Sequence, residues 1–304
     1  MTWRSIIISK GGKLSLRHNQ LLIQQDEAEY TVPLEDIAVM VVESREVVIT
    51  LPLLSAMAAH GVSLLACDEY HLPCGQWLQF GQYHRQLKIL KLQINSSEPL
   101  KKQLWQAIVC QKIRNQAFVA EAIGESQAAG RLRVMASSVR SGDKDNQEAQ
   151  AAAVYFRAIF GKGFVRQAEN GINARLNYGY SIVRSAVARA LAAHGWQPAL
   201  GLFHRNELNP FNLADDFIEP LRPLVDWLVW QLFTEAAITP ELTPLAKQQL
   251  TRLLHYQITV SEQKYTVLAG IDRMAASLQP ALASKNNKLL NLPQLSALKE
   301  QSYE

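Results

Sequence analysis

Short apolar runs separated by polar groups fill the first eighty residues. Ser5–Ser9 (SIIIS), Lys13–Gln25 and Glu29–Ser44 are rich in Ile, Val and Leu. Such side chains suit a pleated, half-buried surface, so each run reads as β structure. Gly11-Gly12 between the first two marks a hairpin. Pro52–His60 reads as one helix, opened by its proline and closed by Gly61. Val62–Cys67 and Gly75–Phe80 read as further strands, and a linker at Gly81–His84 ends the region. Beyond it the spacing changes. Leu87, Leu90, Ile94 and then Leu104, Ile108 and Ile113 recur at steps of three to five, as on one helix face. The pattern predicts helices over Leu100–Ile123, Arg131–Val139, Asn146–Phe160, Asn173–His194, Asn212–Phe233, Thr243–Tyr256 and Tyr265–Ala283. Ser141–Asp145 is a polar, flexible connector, and the last twenty residues read as a tail. The expected fold class is α+β: a small N-terminal β-rich domain with one helix over residues 1–84, then a larger all-α-helical domain over residues 85–304.

Length agrees, since 304 residues make about two domains at roughly 100–200 residues each. Hydrophobic residues at 48% and charged residues at 19% exclude disorder, and 15 Gly with 12 Pro exclude a collagen-like chain. Three cysteines form no disulfide framework, which suggests a reducing compartment and a cytoplasmic protein. The first apolar run is too short for a signal peptide. Val47–Cys67 lacks formal charge for 21 residues, long enough to cross a bilayer. Pro52 and Gly61 divide it into a short helix and a buried strand, so no membrane is expected.

Charge is distributed unevenly. The net charge is +4, yet residues 81–204 carry 17 basic and 7 acidic side chains, and residues 205–241 carry 2 and 7. A basic block attracts phosphates. A tight acidic segment beside it suits phosphate only with cations present, and carboxylate-held magnesium or manganese would reconcile the two. Unrelated solvated helix faces would give the same pattern.

Three constellations could carry chemistry. Glu148 precedes Ala152, Tyr155 and Ile159 by four, seven and eleven residues, which puts it on the apolar stripe of its helix. An acid there needs a partner, a metal or a cleft, unless it only complements the helix dipole from the first turn. His204 lies between an apolar stretch and several amides, either as a satisfied structural histidine or as a ligand. Asp216 and Glu219, three apart, face the same way and repel unless a cation lies between them; Arg222 is the candidate. Pro220 disfavours helical dihedrals at Glu219, so the helix kinks or restarts there. FGKGF lacks the spacing of a phosphate-binding P-loop, and Cys67, His71 and Cys74 lack zinc-site spacing.

Taken together, EAQAAAVYF, NARLNYGYSIVRSAVARAL and LGLFHRNELNPFNLADDFIEPLRP resemble the CRISPR-associated adaptation integrase family. ISKGGKLSL, VPLEDIAVMVVES and ITLPLLSAMAAHGVSLLACDEYHLP resemble its type II branch, and the likeness covers about residues 3–280. The resemblance implies an N-terminal β domain and a C-terminal helical domain. It implies a metal-dependent DNA endonuclease and integrase that inserts spacers into CRISPR arrays. It implies Mg²⁺ or Mn²⁺ held by Glu148, His204 and Glu219, which would be the catalytic set, with Asp216 at an additional acidic position. Implied partners are double-stranded DNA (prespacer and CRISPR repeat), a second copy in a homodimer, and a dimer of the smaller second adaptation subunit. The long uncharged segment of the β-rich domain, not the resemblance, nominates that domain for the homodimer contacts. Charge density near Glu148, not the resemblance, nominates Arg131, Arg133, Lys162, Arg166 and Arg175 as DNA contacts. Loss of Glu148, His204, Asp216 or Glu219 should leave folding intact if these groups are unpaired. A catalytically silent DNA-binding assembly subunit is the alternative. A metal phosphodiesterase acting on small substrates fits the large basic block poorly.

Overall fold

A computed structural model describes residues 4–26, 28–69, 73–77, 86–235 and 241–300. Two compact units emerge: one runs to Gln86 and includes Ala192–Gly195, and the other comprises Leu87–Leu191 and the chain from Trp196 onward.

The first unit is β-rich. Its elements are β1 (Arg4–Ile8), β2 (Gly12–Arg17), β3 (Gln20–Gln25), β4 (Ala28–Pro33), β5 (Ile37–Val42), β6 (Val47–Ile49), α1 (Leu51–Ala59), β7 (Ser63–Cys67) and β8 (Pro73–Trp77). They form two four-stranded sheets, ordered β1-β5-β7-β8 and β4-β3-β2-β6. The Lys13–Gln25 run turns over at His18 and Asn19, whose φ values of 49° and 61° are those of a two-residue hairpin turn. Glu29–Ser44 breaks after Pro33, and its halves join different sheets. The cause is composition: IAVMVV is a continuous apolar run with Ile37, Val39, Met40 and Val41 buried, and it takes a central position with parallel neighbours. AEYTVP leaves Glu29, Tyr30 and Thr31 exposed and lies at an edge.

Gly11-Gly12 is not a hairpin. β1 pairs with β5 and β2 with β3, and Gly12 instead lets the chain pass against the Gln24 carbonyl, where a Cβ would collide. The uncharged Val47–Cys67 run becomes β6, α1 and β7, with Leu53, Met57, Val62 and Leu64 in the core. Among the described residues no helix is long and apolar enough to cross a membrane. Phe80 and the Gly81–His84 linker lie outside the described residues.

The second unit is mostly helical. It contains α2 (Gln86–Ile94), α3 (Glu98–Ala122), α4 (Ser126–Ser138), α5 (Gln147–Phe160), α6 (Gly171–Ala193), α7 (Asn212–Ile218), α8 (Arg222–Glu235), α9 (Pro244–Arg252) and α10 (Val267–Ala283). Leu104, Ile108, Val109 and Ile113 bury α3 against its neighbours, among them α4, α5 and α8. The predicted Asn212–Phe233 helix is interrupted by a 3-10 turn at Glu219–Leu221. Glu219 itself keeps helical dihedrals (φ −52°, ψ −44°) despite the proline after it, and it opens the turn.

The all-helical expectation for this unit needs one correction. β9 (Tyr256–Val260), β10 (Gln263–Thr266) and β11 (Gln294–Glu300) form a sheet ordered β10-β9-β11. The residues read as a tail therefore fold. Leu295 is buried, and the Asn115 amide on α3 donates to the Pro293 carbonyl (2.9 Å) and accepts from the Leu295 N–H (3.3 Å). Proximity to the chain end concealed a strand whose partners lie far away in sequence.

Candidate active site

Glu148 lies in the first turn of α5. The Asp143 carboxylate accepts from the backbone N–H groups of Gln147 (2.8 Å) and Glu148 (3.0 Å) and fixes that turn. Tyr155 and Ile159 are buried below it, so Glu148 occupies the inward stripe its spacing indicated. Its partner is Lys112 on α3, whose Nζ donates to Glu148 Oε1 at 2.5 Å. The same ammonium pairs with Glu219 Oε2. Glu219 Oε1 accepts from Arg222 Nε at 2.7 Å. The turn that carries Glu219 is fastened from α3 as well, since Asn115 Nδ2 donates to the Pro220 carbonyl at 2.6 Å. Lys112 and Asn115 lie one turn apart on α3, so one helix face sets both the charge and the backbone of the Glu219 turn.

His204 and Asp216 form the second half. Asp216 is fully buried and does not face Glu219. Its oxygens accept from the backbone N–H groups of Leu202 (2.5 Å), Phe203 (3.1 Å) and His204 (3.2 Å), and it pairs with His204 Nδ1 at 2.8 Å. Arg222 therefore pairs with Glu219 alone and does not lie between the two carboxylates, which corrects the expectation from their spacing. Gly201 makes the tight turn possible, because a Cβ there would clash with the His204 carbonyl and come within 2.9 Å of Asp216 Oδ2. Asn212 ties the loop down by donating to the carbonyls of Ala199 (3.0 Å) and Asn206 (2.9 Å). Phe203 stacks on buried Trp105 at 4.3 Å, and His204 meets both rings edge-on at 5.7 Å. With Nδ1 engaged by Asp216, the imidazole keeps Nε2 for another partner.

Electrostatics join the halves. Burial alone would raise the Glu219 carboxyl, yet the charges of Arg222 and Lys112 bring it down to about 2. Burial would lower the Lys112 ammonium, but Glu219 and Glu148 hold it above its ordinary value. The hydrogen bond with Asp216 raises the His204 imidazole against partial burial, and the charge of Glu219 adds to this. Beneath the site the Arg222 guanidinium lies 4.6 Å over the Tyr180 ring, and the Tyr180 hydroxyl donates to Asp226. Burial pushes the Asp226 carboxyl up to about 7, despite Tyr180, Arg222, Arg166 and Lys112, which lower it. The folded protein thus binds this proton more tightly than the unfolded chain. Stability from it is full below the ordinary value of 3.8 and declines as pH rises through about 7. Asp226→Asn, which keeps an acceptor for Tyr180, should gain melting temperature over the parent between about pH 5 and about pH 8. A difference independent of pH would contradict this.

The donor set suits a hard divalent cation: two carboxylates that share one ammonium, and an imidazole whose Nδ1 is held by Asp216 and whose Nε2 is left for a ligand. The Lys112 ammonium already lies between the carboxylates, however. Among the described residues no group of three His, Cys, Asp or Glu side chains stands close enough to hold a metal as placed. The residues fit the ion in kind, with Lys112 to be moved.

The basic candidates divide. Arg131, Arg133 and Lys162 are exposed, with Arg133 paired to Glu121 at 2.8 Å. Arg166 donates to Asn173 (3.2 Å) and Asn177 (2.7 Å). Arg175 is a correction: it is buried and donates to the carbonyls of Gly171 (2.9 Å) and Glu241 (3.2 Å), so it supports the fold instead of meeting phosphate. Sequence reading missed Lys112, Asn115, Trp105 and Asp143. Lys112, Asn115 and Gln116 are buried at helical spacing on α3, and that polar stripe in a core helix was the available signal.

A family model described as CRISPR associated protein Cas1 matches residues 6–251. A CRISPR-associated endonuclease Cas1 of Neisseria meningitidis is 62% identical over 304 residues, all of both chains. Among solved structures, a chain of a Cas6-RT-Cas1–Cas2 complex shares the fold with a TM-score of 0.74 at 17% identity, over 95% of this chain. This chain spans only 36% of that longer one. A casposase bound to integration product is similar with a TM-score of 0.72 at 18% identity, over 94% of this chain and 92% of the casposase.

Proposed function

Because the chain belongs to the CRISPR-associated Cas1 family, we propose that it is a metal-dependent DNA endonuclease and integrase that inserts spacer DNA into CRISPR arrays. The observation that carries this is the meeting of Glu148 and Glu219, from separate elements, on one ammonium, within the electrostatic reach of an Asp216-held His204. Glu148, Glu219 and His204 would hold Mg²⁺ or Mn²⁺, which when bound supplies Lewis acidity to a phosphodiester. The chain's own part is positioning and charge. Asp216 fixes the imidazole tautomer and orientation, and Arg222 keeps Glu219 ionised. In integration the nucleophile is the 3′-hydroxyl of the incoming DNA, and in nicking it is water. The test is divalent-ion-dependent nicking and strand transfer, with Glu148→Ala expected to remove both while DNA binding survives.

Binding rests on the basic block. If about 6–10 phosphates are contacted, affinity should fall ~10³–10⁵-fold between roughly 50 and 200 mM salt. Arg131→Ala, Arg133→Ala and Lys162→Ala should weaken binding with little dependence on sequence. A flat salt response in a fluorescence-anisotropy titration would remove the electrostatic argument.

The proposed partners are prespacer and repeat DNA, a second copy of the chain, and a dimer of the smaller adaptation subunit. The β-rich unit exposes Tyr30, Val48 and Leu51, apolar surface suited to the homodimer. Light scattering should give twice 34.1 kDa, and a stable monomer at micromolar concentration would count against this. DNA arrays place the activity in the prokaryotic cytoplasm, which accords with cysteines too few for a disulfide framework. The silent DNA-binding subunit is favoured by one observation, the ammonium already lying between the carboxylates, and the nicking assay separates the two readings.

A further inference from the structure

We propose that Lys112 is the resident counter-ion of this site: its ammonium holds Glu148 and Glu219 in place until a divalent cation displaces it. The inference rests on the metal-dependent reading above.

Geometry leaves one position for both cations. Lys112 Nζ touches a carboxylate oxygen of Glu148 and one of Glu219 at once. A metal reaching the same two carboxylates occupies the same space, and like charges exclude joint occupancy. Access is one-sided, because the side chains of Lys112 and Glu219 are 8% and 6% exposed, whereas that of Glu148 is 30% exposed.

Charge explains why a cation is present before any metal arrives. Two carboxylates buried together without compensation would be strongly unfavourable. With Lys112 and Arg222 the four groups sum to zero. The two cations are not equivalent. Arg222 is clamped between Glu219 and the Tyr180 ring, and a planar guanidinium held on both sides is poorly suited to exchange. Lys112 is a point charge on a flexible four-carbon stem and can withdraw without disturbing α3. When it leaves, Arg222 still neutralises Glu219. The metal then gives the cluster a net positive charge, which favours a DNA phosphate.

The test is direct metal binding, read apart from catalysis. Mn²⁺ is titrated calorimetrically into the full chain and into Lys112→Met and Lys112→Gln, with Glu148→Ala as the control for site occupancy. The parent should bind, Glu148→Ala should lose the heat, and both lysine variants should bind roughly tenfold or more tightly, since they have no ammonium to expel. Their metal-free melting temperature should fall and their Mn²⁺-induced gain should exceed the parent's. Mass-spectrometric labelling of amines on the parent protein needs no variant: Lys112 should be protected without metal and labelled with Mn²⁺. It decides the matter if the lysine variants do not fold. Unchanged or weaker Mn²⁺ affinity in the variants, or Lys112 labelling indifferent to bound Mn²⁺, overturns the inference and leaves the metal site standing. Absence of Mn²⁺ binding in parent and variants alike overturns the metal-dependent reading and this inference with it.

Discussion

Glu219→Ala should abolish nicking and strand transfer and also destabilise the protein by about 3–5 kcal/mol, the range for removing one partner of a buried ion pair. The reason is the environment of Glu219. Its side chain is 6% exposed, and it neutralises Arg222 on one oxygen and Lys112 on the other. Without it, two cations stay in the interior and only Glu148 remains to offset them. Glu148→Ala should abolish the same activity at much smaller cost, because Glu148 is partly solvated and Lys112 retains Glu219. This revises the expectation that every acid here is dispensable for folding, which assumed that the carboxylates were unpaired. Thermal melting beside a Mn²⁺-dependent nicking assay checks the contrast. Equal melting temperatures for Glu219→Ala and the parent would show that the buried pairs contribute nothing.

Asp216→Ala should lower activity by about 10–100-fold, as for other residues that orient a ligand, and lower stability as well. Its carboxylate is the acceptor for three consecutive backbone N–H groups, Leu202 to His204, and contacts the imidazole too. Each N–H left buried without an acceptor costs about 1–3 kcal/mol, less where water can enter. Asp216→Asn separates the two roles. Its carbonyl, at the Oδ2 position, still accepts from Leu202 and Phe203, whereas its N–H₂ faces the His204 N–H as well as Nδ1, so two of the three backbone bonds hold and the melting temperature should fall much less than in Asp216→Ala. Its amide N–H₂ facing Nδ1, however, drives the imidazole proton to Nε2, the nitrogen that must offer a lone pair. Activity should fall to about the level of Asp216→Ala while most of the stability is kept. An Asp216→Asn protein that melts normally and cuts like the parent would show that the Asp216–His204 contact has no part in positioning the histidine.

The linear sequence carried the features that depend on neighbours along the chain. The change from strand-like to helical spacing near residue 84 marked the β-rich and helical parts. Spacing to Tyr155 and Ile159 put Glu148 on an inward stripe, and Pro220 marked the break beside Glu219. Three motif strings in order indicated the family. Each is a local matter of periodicity, turn chemistry or residue order.

Tertiary structure alone decided the rest. Periodicity reports which face of a helix is buried, not which distant side chain meets it. Lys112 looked like one more member of a basic block, and only the packing of α3 against α5 and the Glu219 turn turned it inward. Arg175 belonged to the same block and became a structural donor. Asp216 and Glu219 sit three residues apart, yet they face different partners, because the turn at Glu219–Leu221 and the loop around His204 divide them. The tail became a strand because β9 supplied its edge and Asn115 its anchor. In each case the deciding free energy is that of burying a charge or a backbone polar group, and its sign depends on a partner that only the folded chain supplies.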